Sequence, residues 1–263
     1  MKVAVVGATG RMGKLVIAEV LDAPDLTLVA AMGSPGSAHL GRDVGVVVGR
    51  GPIGVDVVPV APIAADVWID FSLPAGLAAA LHNIPPGVAL VTGTTGVDDG
   101  LRARLRAAAA SRPVLAAANF STGVALLRAL VRMAASALPT ADVELVETHH
   151  RHKRDAPSGT ALALAHDVAH ARGVELDALL VHGRSGETGP REAGRIAIHA
   201  MRGGDVTGDH TVWLALDGET IALSHRATAR TTFAHGALRA ARWLPSQPAG
   251  LYEMDDVLGL TRS

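Results

Sequence analysis

The sequence contains no cysteine, which excludes disulfides, thiolate catalysis and cysteine-based metal sites. It has almost no net charge, −1 at neutral pH, and a general nucleic-acid binder usually carries an overall basic excess. No apolar run approaches the roughly 18 residues of a membrane-spanning helix. The opening Met1-Lys2-Val3-Ala4-Val5-Val6-Gly7 is too short an apolar run for a signal peptide. There is no internal repeat and no low-complexity tract. These absences lead to the expectation of a soluble cytoplasmic protein with neither nucleic acid nor membrane as partner. What is present is 263 residues, 49% hydrophobic and 19% charged. That is a globular composition, long enough for one large core or two compact units.

The first half alternates apolar runs with helical patterns. Val3 to Val6 is a continuous apolar run, as expected of a strand buried on both faces of a parallel sheet. Gly7-Ala8-Thr9-Gly10-Arg11-Met12-Gly13 follows, and Leu15, Val16, Glu19 and Val20 then fit a helix with an apolar face. A strand, a glycine-rich turn and a helix form the context of a dinucleotide fingerprint. In it Gly7 allows the tight turn, Gly10 the approach of a pyrophosphate, and Gly13 close helix–strand packing. A second strand is expected over Leu26 to Met32. An NAD-specific fingerprint places an acid after it, to bond the ribose 2′-hydroxyl. This chain has Gly33-Ser34-Pro35-Gly36 there, which leaves room for a 2′-phosphate.

Residues 41–60 are rich in glycine and valine and fit no template. Further strands are expected over Val67 to Phe71, Val88 to Val91 and Val114 to Ala118. The second ends in Gly93-Thr94-Thr95-Gly96 and the third in Asn119-Phe120-Ser121. Small hydroxylated and polar residues at strand carboxyl ends suit the ligand crevice of a doubly wound sheet; ordinary turn chemistry is the alternative.

The pattern changes near Ser121. A helix is expected over Val124 to Leu138, and an alternating strand over residues 143–148 leads into His149. After a helix over Thr160 to Ala171 come three strands, Arg195 to Arg202, His210 to Asp217 and Glu219 to Thr228. This half reads as α+β. A helix over Thr231 to Leu244 and an apolar tail close the chain.

The chemistry concentrates in Glu147 to Ala161. His149 to Arg154 places three histidines and three cations within six residues, and Pro157-Ser158-Gly159-Thr160 opens a helix behind them. The histidines invite a metal reading, but Arg151, Lys153 and Arg154 would repel a divalent ion and no carboxylate clearly completes a site; no metal is expected. A solvated basic loop is the bland alternative. An anionic-substrate site uses every part. Lys153 offers a point charge to a carboxylate, and the helix start at Ser158, Gly159 and Thr160 offers N–H groups and hydroxyls to a second. Flanking cations favour a neutral imidazole and a bound dianion favours a charged one, which makes His149 a candidate proton donor near neutral pH.

These motifs resemble those of the 4-hydroxy-tetrahydrodipicolinate (dihydrodipicolinate) reductases of lysine biosynthesis, and the resemblance spans the chain. Besides the stretches already quoted, it rests on Gly204-Asp205-Val206-Thr207-Gly208-Asp209-His210-Thr211 and on the ending from Gly250 to Leu258. It implies an NADPH- and/or NADH-dependent oxidoreductase of α/β class. A Rossmann-type doubly wound parallel sheet would occupy residues 1–120, completed by 231–263. A second α+β domain on a mixed sheet, residues 121–230, would bind substrate and build a homotetramer. By the same resemblance His149 donates the proton and Lys153 is also catalytic, while His150, Lys153, Ser158, Gly159 and Thr160 contact a small dicarboxylate. Gly7, Ala8, Thr9, Gly10, Arg11, Met12, Gly93, Thr94, Thr95, Ala117, Ala118, Asn119 and Phe120 contact the cofactor. The rival readings are another two-domain amino-acid dehydrogenase and a non-catalytic NAD(P)-binding sensor.

Overall fold

The structure is a computed structural model that describes residues 1–260; positions 261–263 of the expected C-terminal completion lie outside the described residues. The first half runs β1 (Lys2–Val6), α1 (Arg11–Asp22), β2 (Thr27–Gly33), α2 (Val44–Val47), β3 (Val57–Pro59), β4 (Val67–Asp70), α3 (Pro74–Asn83), β5 (Ala89–Thr92), α4 (Asp99–Ala109) and β6 (Pro113–Ala116). Next come α5 (Thr122–Ala137), β7 (Asp142–His149), α6 (Gly159–Ala171), β8 (Leu180–His182), β9 (Ile196–Arg202), β10 (Gly208–Leu216) and β11 (Glu219–Ala227). α7 (Thr231–Trp243), β12 (Gly250–Tyr252) and α8 (Met254–Val257) end the described chain. The chain divides into two compact units: Met1–Thr122 with the described residues from Thr231 on, and Gly123–Arg230.

The first unit is built on a seven-stranded sheet in the order β12-β6-β5-β4-β1-β2-β3. Every pairing in it is parallel. The order reverses between β1 and β4, the switch point at whose carboxyl edge ligands of doubly wound sheets lie. β1, β4 and β5 read as near-continuous apolar runs because both faces are covered: all four residues of β4 and of β5 are buried. Trp68 is fully enclosed and donates its indole N–H to the Ile63 carbonyl at 3.1 Å. Burying such a side chain contributes on the order of 2–3 kcal/mol. α1 turns Gly13, Val16, Ile17 and Val20 inward; of the face expected from the sequence, Val16 and Val20 are buried, while Leu15 and Glu19 are only half-buried.

The tail after Trp243 docks as a strand, with β12 pairing parallel to β6. Residues 41–60, which fit no template, are organised by one carboxylate. Asp43 accepts the N–H groups of Gly45 and Val46 through one oxygen, at 2.8 and 3.3 Å, and those of Ile53 and Gly54 through the other, at 2.9 and 2.7 Å. The two elements within this stretch, α2 and β3, are four and three residues long, too short for a period to show.

The second unit is a five-stranded mixed sheet in the order β11-β10-β7-β9-β8. β7 is central, antiparallel to β10 and parallel to β9. One face carries the core, with Val143 and Leu145 of β7, Ile196 and Ile198 of β9 and Val212 and Leu214 of β10 packed with Leu164, Ala165 and Val168 of α6 and Val131 of α5. Asp167 on α6 receives Arg128 Nε at 2.6 Å and Arg132 Nη1 at 3.2 Å, which ties α6 to α5. The short strand β8 was not expected; only three residues pair, too few for a sequence period. Among the described residues no helix is long and apolar enough to cross a membrane.

Candidate active site

The glycine-rich turn of the first unit is shaped by close backbone approach. Gly7 has φ +75°, and a side chain there would put its first carbon 2.6 Å from the Phe71 carbonyl oxygen. At Gly13 the same carbon would lie 2.1 Å from the Gly7 oxygen, and at Gly10 3.2 Å from it. Helix α1 therefore starts directly over the turn, with Gly10 as a cap that has no side chain to occupy the first-turn N–H groups. Such a terminus is open to a pyrophosphate, so the residues present fit the nucleotide. Arg11 is exposed at that start.

Three loops meet at the carboxyl edge of the same sheet. Asp70, wholly buried at the end of β4, accepts the Ser72 N–H (3.1 Å), the Ser72 hydroxyl (2.5 Å) and the hydroxyls of Thr92 and Thr94 (2.7 Å each). Burial pushes the Asp70 carboxyl up, and the bonds from Ser72, Thr92 and Thr94 offset only part of that. Above it the rings of Phe71 and Phe120 meet edge to face at 5.2 Å. Gly93 passes beneath them: a side chain there would start 2.3 Å from the Phe71 ring. Phe120 is fixed from the other side by α7, because Gly236 approaches its carbonyl too closely for any side chain, with 1.7 Å to a first carbon. The Ala117 N–H bonds the Thr92 carbonyl at 3.1 Å, and Asn119 Oδ1 accepts the Ser121 N–H at 2.8 Å. The expected Gly93–Thr95 and Ala117–Phe120 segments thus follow the adjacent strands β5 and β6 at one edge of the sheet.

In the second unit, β7 delivers the histidine cluster. Its inward positions are Val143, Leu145, Glu147 and His149, so the apolar phase of the strand ends in a carboxylate and an imidazole. Glu147 has no exposure at all. One oxygen accepts His149 Nδ1 at 2.6 Å and Arg202 Nη1 at 2.8 Å; the other accepts Arg202 Nη2 at 2.9 Å and the Ser158 N–H at 3.0 Å. Burial pushes the Glu147 carboxyl up, but Arg202, His149 and the Ser158 N–H outweigh it and hold the group below the usual carboxylate range. The His210 ring meets that of His149 edge to face at 5.2 Å, and its Nε2 lies 3.2 Å from the Ser158 hydroxyl. Burial first, then the charge of His149, lowers His210 to about 4, so it is neutral at pH 7.

Ser158 caps α6, its hydroxyl accepting the Ala161 N–H at 3.2 Å. Both its N–H and its hydroxyl are therefore engaged within the protein. The N–H of Gly159 heads the helix with no partner among the described residues, and Thr160 follows it. Lys153 Nζ lies 2.9 Å from both oxygens of Asp155. His150 Nε2 lies 3.3 Å from Arg230; burial and then the charges of Arg230 and the neighbouring cluster push His150 down. Arg202 also donates to the Asp155 carbonyl at 2.7 Å, and His150 N–H to Val206 at 2.7 Å, which pins the cluster to the 203–206 loop.

The structure adds Arg202, His210 and Arg230 to the residues expected from the sequence. Nothing local distinguishes the two arginines from the other cations. Glu147 did carry a signal: a carboxylate in the inward phase of an alternating strand.

The same two halves stand out when the chain is compared with known proteins. Residues 1–120 match the family model described as dihydrodipicolinate reductase, N-terminus, and residues 123–258 the one described as dihydrodipicolinate reductase, C-terminus. The chain belongs to the dihydrodipicolinate reductase family. A 4-hydroxy-tetrahydrodipicolinate reductase from Psychrobacter arcticus is 48% identical over 269 residues, covering 99% of this chain and 95% of the relative. One from Halorhodospira halophila is 46% identical over 263 residues, covering 98% of each. Among solved structures, the dipicolinate-bound dihydrodipicolinate reductase from Paenisporosarcina sp. TG-14 superposes with TM-score 0.73 at 25% identity, covering 96% of this chain and 97% of the other. An amine dehydrogenase from Mycobacterium smegmatis, TM-score 0.57 at 13% identity over 97% of this chain and 95% of the other, shares the fold alone. Dihydrodipicolinate reductases are NAD(P)H-dependent oxidoreductases of lysine biosynthesis, and the N-terminal unit is their nucleotide-binding domain.

Proposed function

We propose that this reductase converts 4-hydroxy-tetrahydrodipicolinate to tetrahydrodipicolinate with His149 as proton donor, residues 121–230 serving as the substrate-binding and oligomerisation domain. Loss of water gives a conjugated cyclic imine dicarboxylate. The glycine-rich turn and the Gly93–Thr95 and Ala117–Phe120 loops would hold NADPH or NADH, which when bound would supply the hydride for ring C4. His149 then protonates the adjacent carbon, so one hydride and one proton are added. Lys153 and His150 face one carboxylate of the substrate, and Gly159 and Thr160 at the start of α6 face the other. Ser158 holds that helix start in place through its cap and its N–H bond to Glu147. The Lys153–Asp155 pair opens to a substrate carboxylate, which takes the position of Asp155. Catalysis comes mainly from orienting the reactants and neutralising two negative charges.

The observation that carries this reading is the convergence of His149, His150, Lys153 and the α6 start on one end of the second unit, in a family defined by that reaction. The dipicolinate found in the Paenisporosarcina relative is a planar dicarboxylate of the same size class. A cytoplasmic homotetramer accompanies the proposal. The sheet face opposite the core exposes Trp213 of β10 and Met201 of β9, apolar side chains that pairing of subunits would cover. A stable monomer in light scattering would contradict that assembly.

The test is steady-state kinetics on freshly generated substrate. His149→Gln is expected to lower kcat by about 10²-fold or more, the usual scale of general-acid contributions, with substrate KM little changed. Lys153→Ala is expected to raise KM and lower kcat. A His149→Gln enzyme with near-wild-type kcat would remove His149 from the reaction.

A further inference from the structure

We propose that Glu147 is the positioning residue that fixes the His149 imidazole with its Nδ1 proton bound and its Nε2 open, and that Gly208 keeps the space at Nε2 clear. The inference rests on the reading of His149 as proton donor and assigns its two nitrogens different tasks.

Geometry determines which nitrogen does what. The Nδ1 of His149 lies 2.6 Å from Glu147 Oε2. An ionised carboxylate only accepts, so the proton of that bond belongs to Nδ1. Glu147 has no freedom to turn away. Arg202 grips both its oxygens, at 2.8 and 2.9 Å, and the Ser158 N–H takes a further acceptor site at 3.0 Å. Four donors around one buried carboxylate leave it a single orientation, in which one acceptor direction is aimed at His149.

The other nitrogen faces β10. A side chain at Gly208 would start 2.9 Å from His149 Nε2 and 3.4 Å from its Cδ2. No positive φ requires glycine at this position; the requirement comes from the ring. His210, two residues along the strand, closes the edge of the same ring at 5.2 Å and bonds Ser158 rather than His149. Nε2 is therefore the nitrogen with room for a reacting atom. In the charged imidazole Nε2 carries the proton that leaves, and after transfer the ring is the Nδ1–H tautomer, already bonded to Glu147. A carboxylate that holds a reacting imidazole in one tautomer is a known route to large effects on kcat.

A purely structural role for Glu147, as the knot that joins β7, β9 and the start of α6, would not depend on the tautomer. The decisive measurement is ¹⁵N NMR of the histidine rings in the wild-type enzyme, with His149→Gln used to assign its signals. Expected is a neutral His149 protonated at Nδ1 with a bare Nε2, opposite to the preference of an unconstrained neutral histidine side chain. A neutral His149 protonated at Nε2 overturns the proposal, whatever the kinetics show. In Glu147→Gln the amide can offer N–H to Nδ1; loss of the Nδ1–H signature and a fall in kcat of at least about tenfold, with substrate KM within about twofold, are expected. Should that variant not fold, Gly208→Ala keeps Glu147 and Arg202 intact and crowds Nε2 alone. It is expected to lower kcat at least about tenfold while the Nδ1–H signature persists, and an unchanged kcat would overturn the assignment of Nε2. Full turnover by His149→Gln, with Nδ1–H found in the wild type, would instead refute the proton-donor reading and leave the Glu147 bond standing.

Discussion

Thr94 donates its hydroxyl to the buried carboxyl of Asp70 across 2.7 Å, from the loop that follows the neighbouring strand β5. The same carboxyl holds Thr92 and both polar groups of Ser72. One buried side chain thus ties the loop after β4 to the Gly93–Thr95 loop that the cofactor assignment uses.

Asp70→Asn keeps the shape but presents an N–H₂ to hydroxyls that had been donating. Losing bonds to a charged acceptor costs about 1.5–3 kcal/mol. NADPH and NADH are both expected to bind roughly tenfold or more weakly, with substrate KM less affected, because the loops of the nucleotide unit lose their common anchor. Fluorescence titration of each nucleotide measures this, and unchanged dissociation constants would show that the loops hold their position without Asp70.

Cofactor preference is expected to turn on Gly33, where β2 ends without an acid. Neither NADH is favoured there nor the 2′-phosphate of NADPH repelled, and Arg11 stands exposed at the start of α1. NADPH is expected to be used at least as well as NADH. Gly33→Glu is expected to shift kcat/KM toward NADH by at least about 1 kcal/mol, roughly fivefold. A side chain at this position meets Val57 Cγ1 at 3.1 Å, so Gly33→Ala is the control that separates packing from charge. A wild type with strong NADH preference, and no shift in the glutamate variant, would place recognition of the ribose elsewhere.

His210 links stability to pH. It is buried beside His149, with Glu147, His225 and Lys153 also acting on it, and it sits at about 4 rather than its ordinary 6.5. The unfolded chain therefore binds a proton that the folded one refuses between those values. Stability is complete above 6.5 and is lost as pH falls toward 4, by up to about 3 kcal/mol in all and at most about 1.4 kcal/mol per pH unit. His150 and His225 are pushed down as well and add the same sign. Glu144, held at about 2 although burial opposes the bonds from Arg184, His199 and Arg191, contributes its loss only below about 4.5. Urea unfolding between pH 7 and 4.5 is expected to show a shallower loss in His210→Gln than in the wild type; equal slopes would mean that His210 does not resist protonation.

The sequence by itself determined the local grammar. Val3 to Val6, the Gly7–Gly13 turn and the α1 face needed only chain-local rules, because a strand buried on both faces is apolar throughout and a pyrophosphate turn needs glycine at set spacings. The cluster from His149 to Thr160 was equally legible, since three histidines, three cations and a helix start lie within one short stretch. The tertiary structure alone decided what those residues are held by. Arg202 is 55 residues from Glu147 in sequence and reaches it because β9 lies beside β7. His210 meets His149 because β10 lies on its other side. Gly93, Gly208 and Gly236 are glycines because of Phe71, His149 and Phe120, each distant along the chain. Periodicity reports which face of an element is buried; it carries no information on which distant strand supplies the partner. Strand order therefore settled how the buried carboxylates Asp70 and Glu147 are held in place.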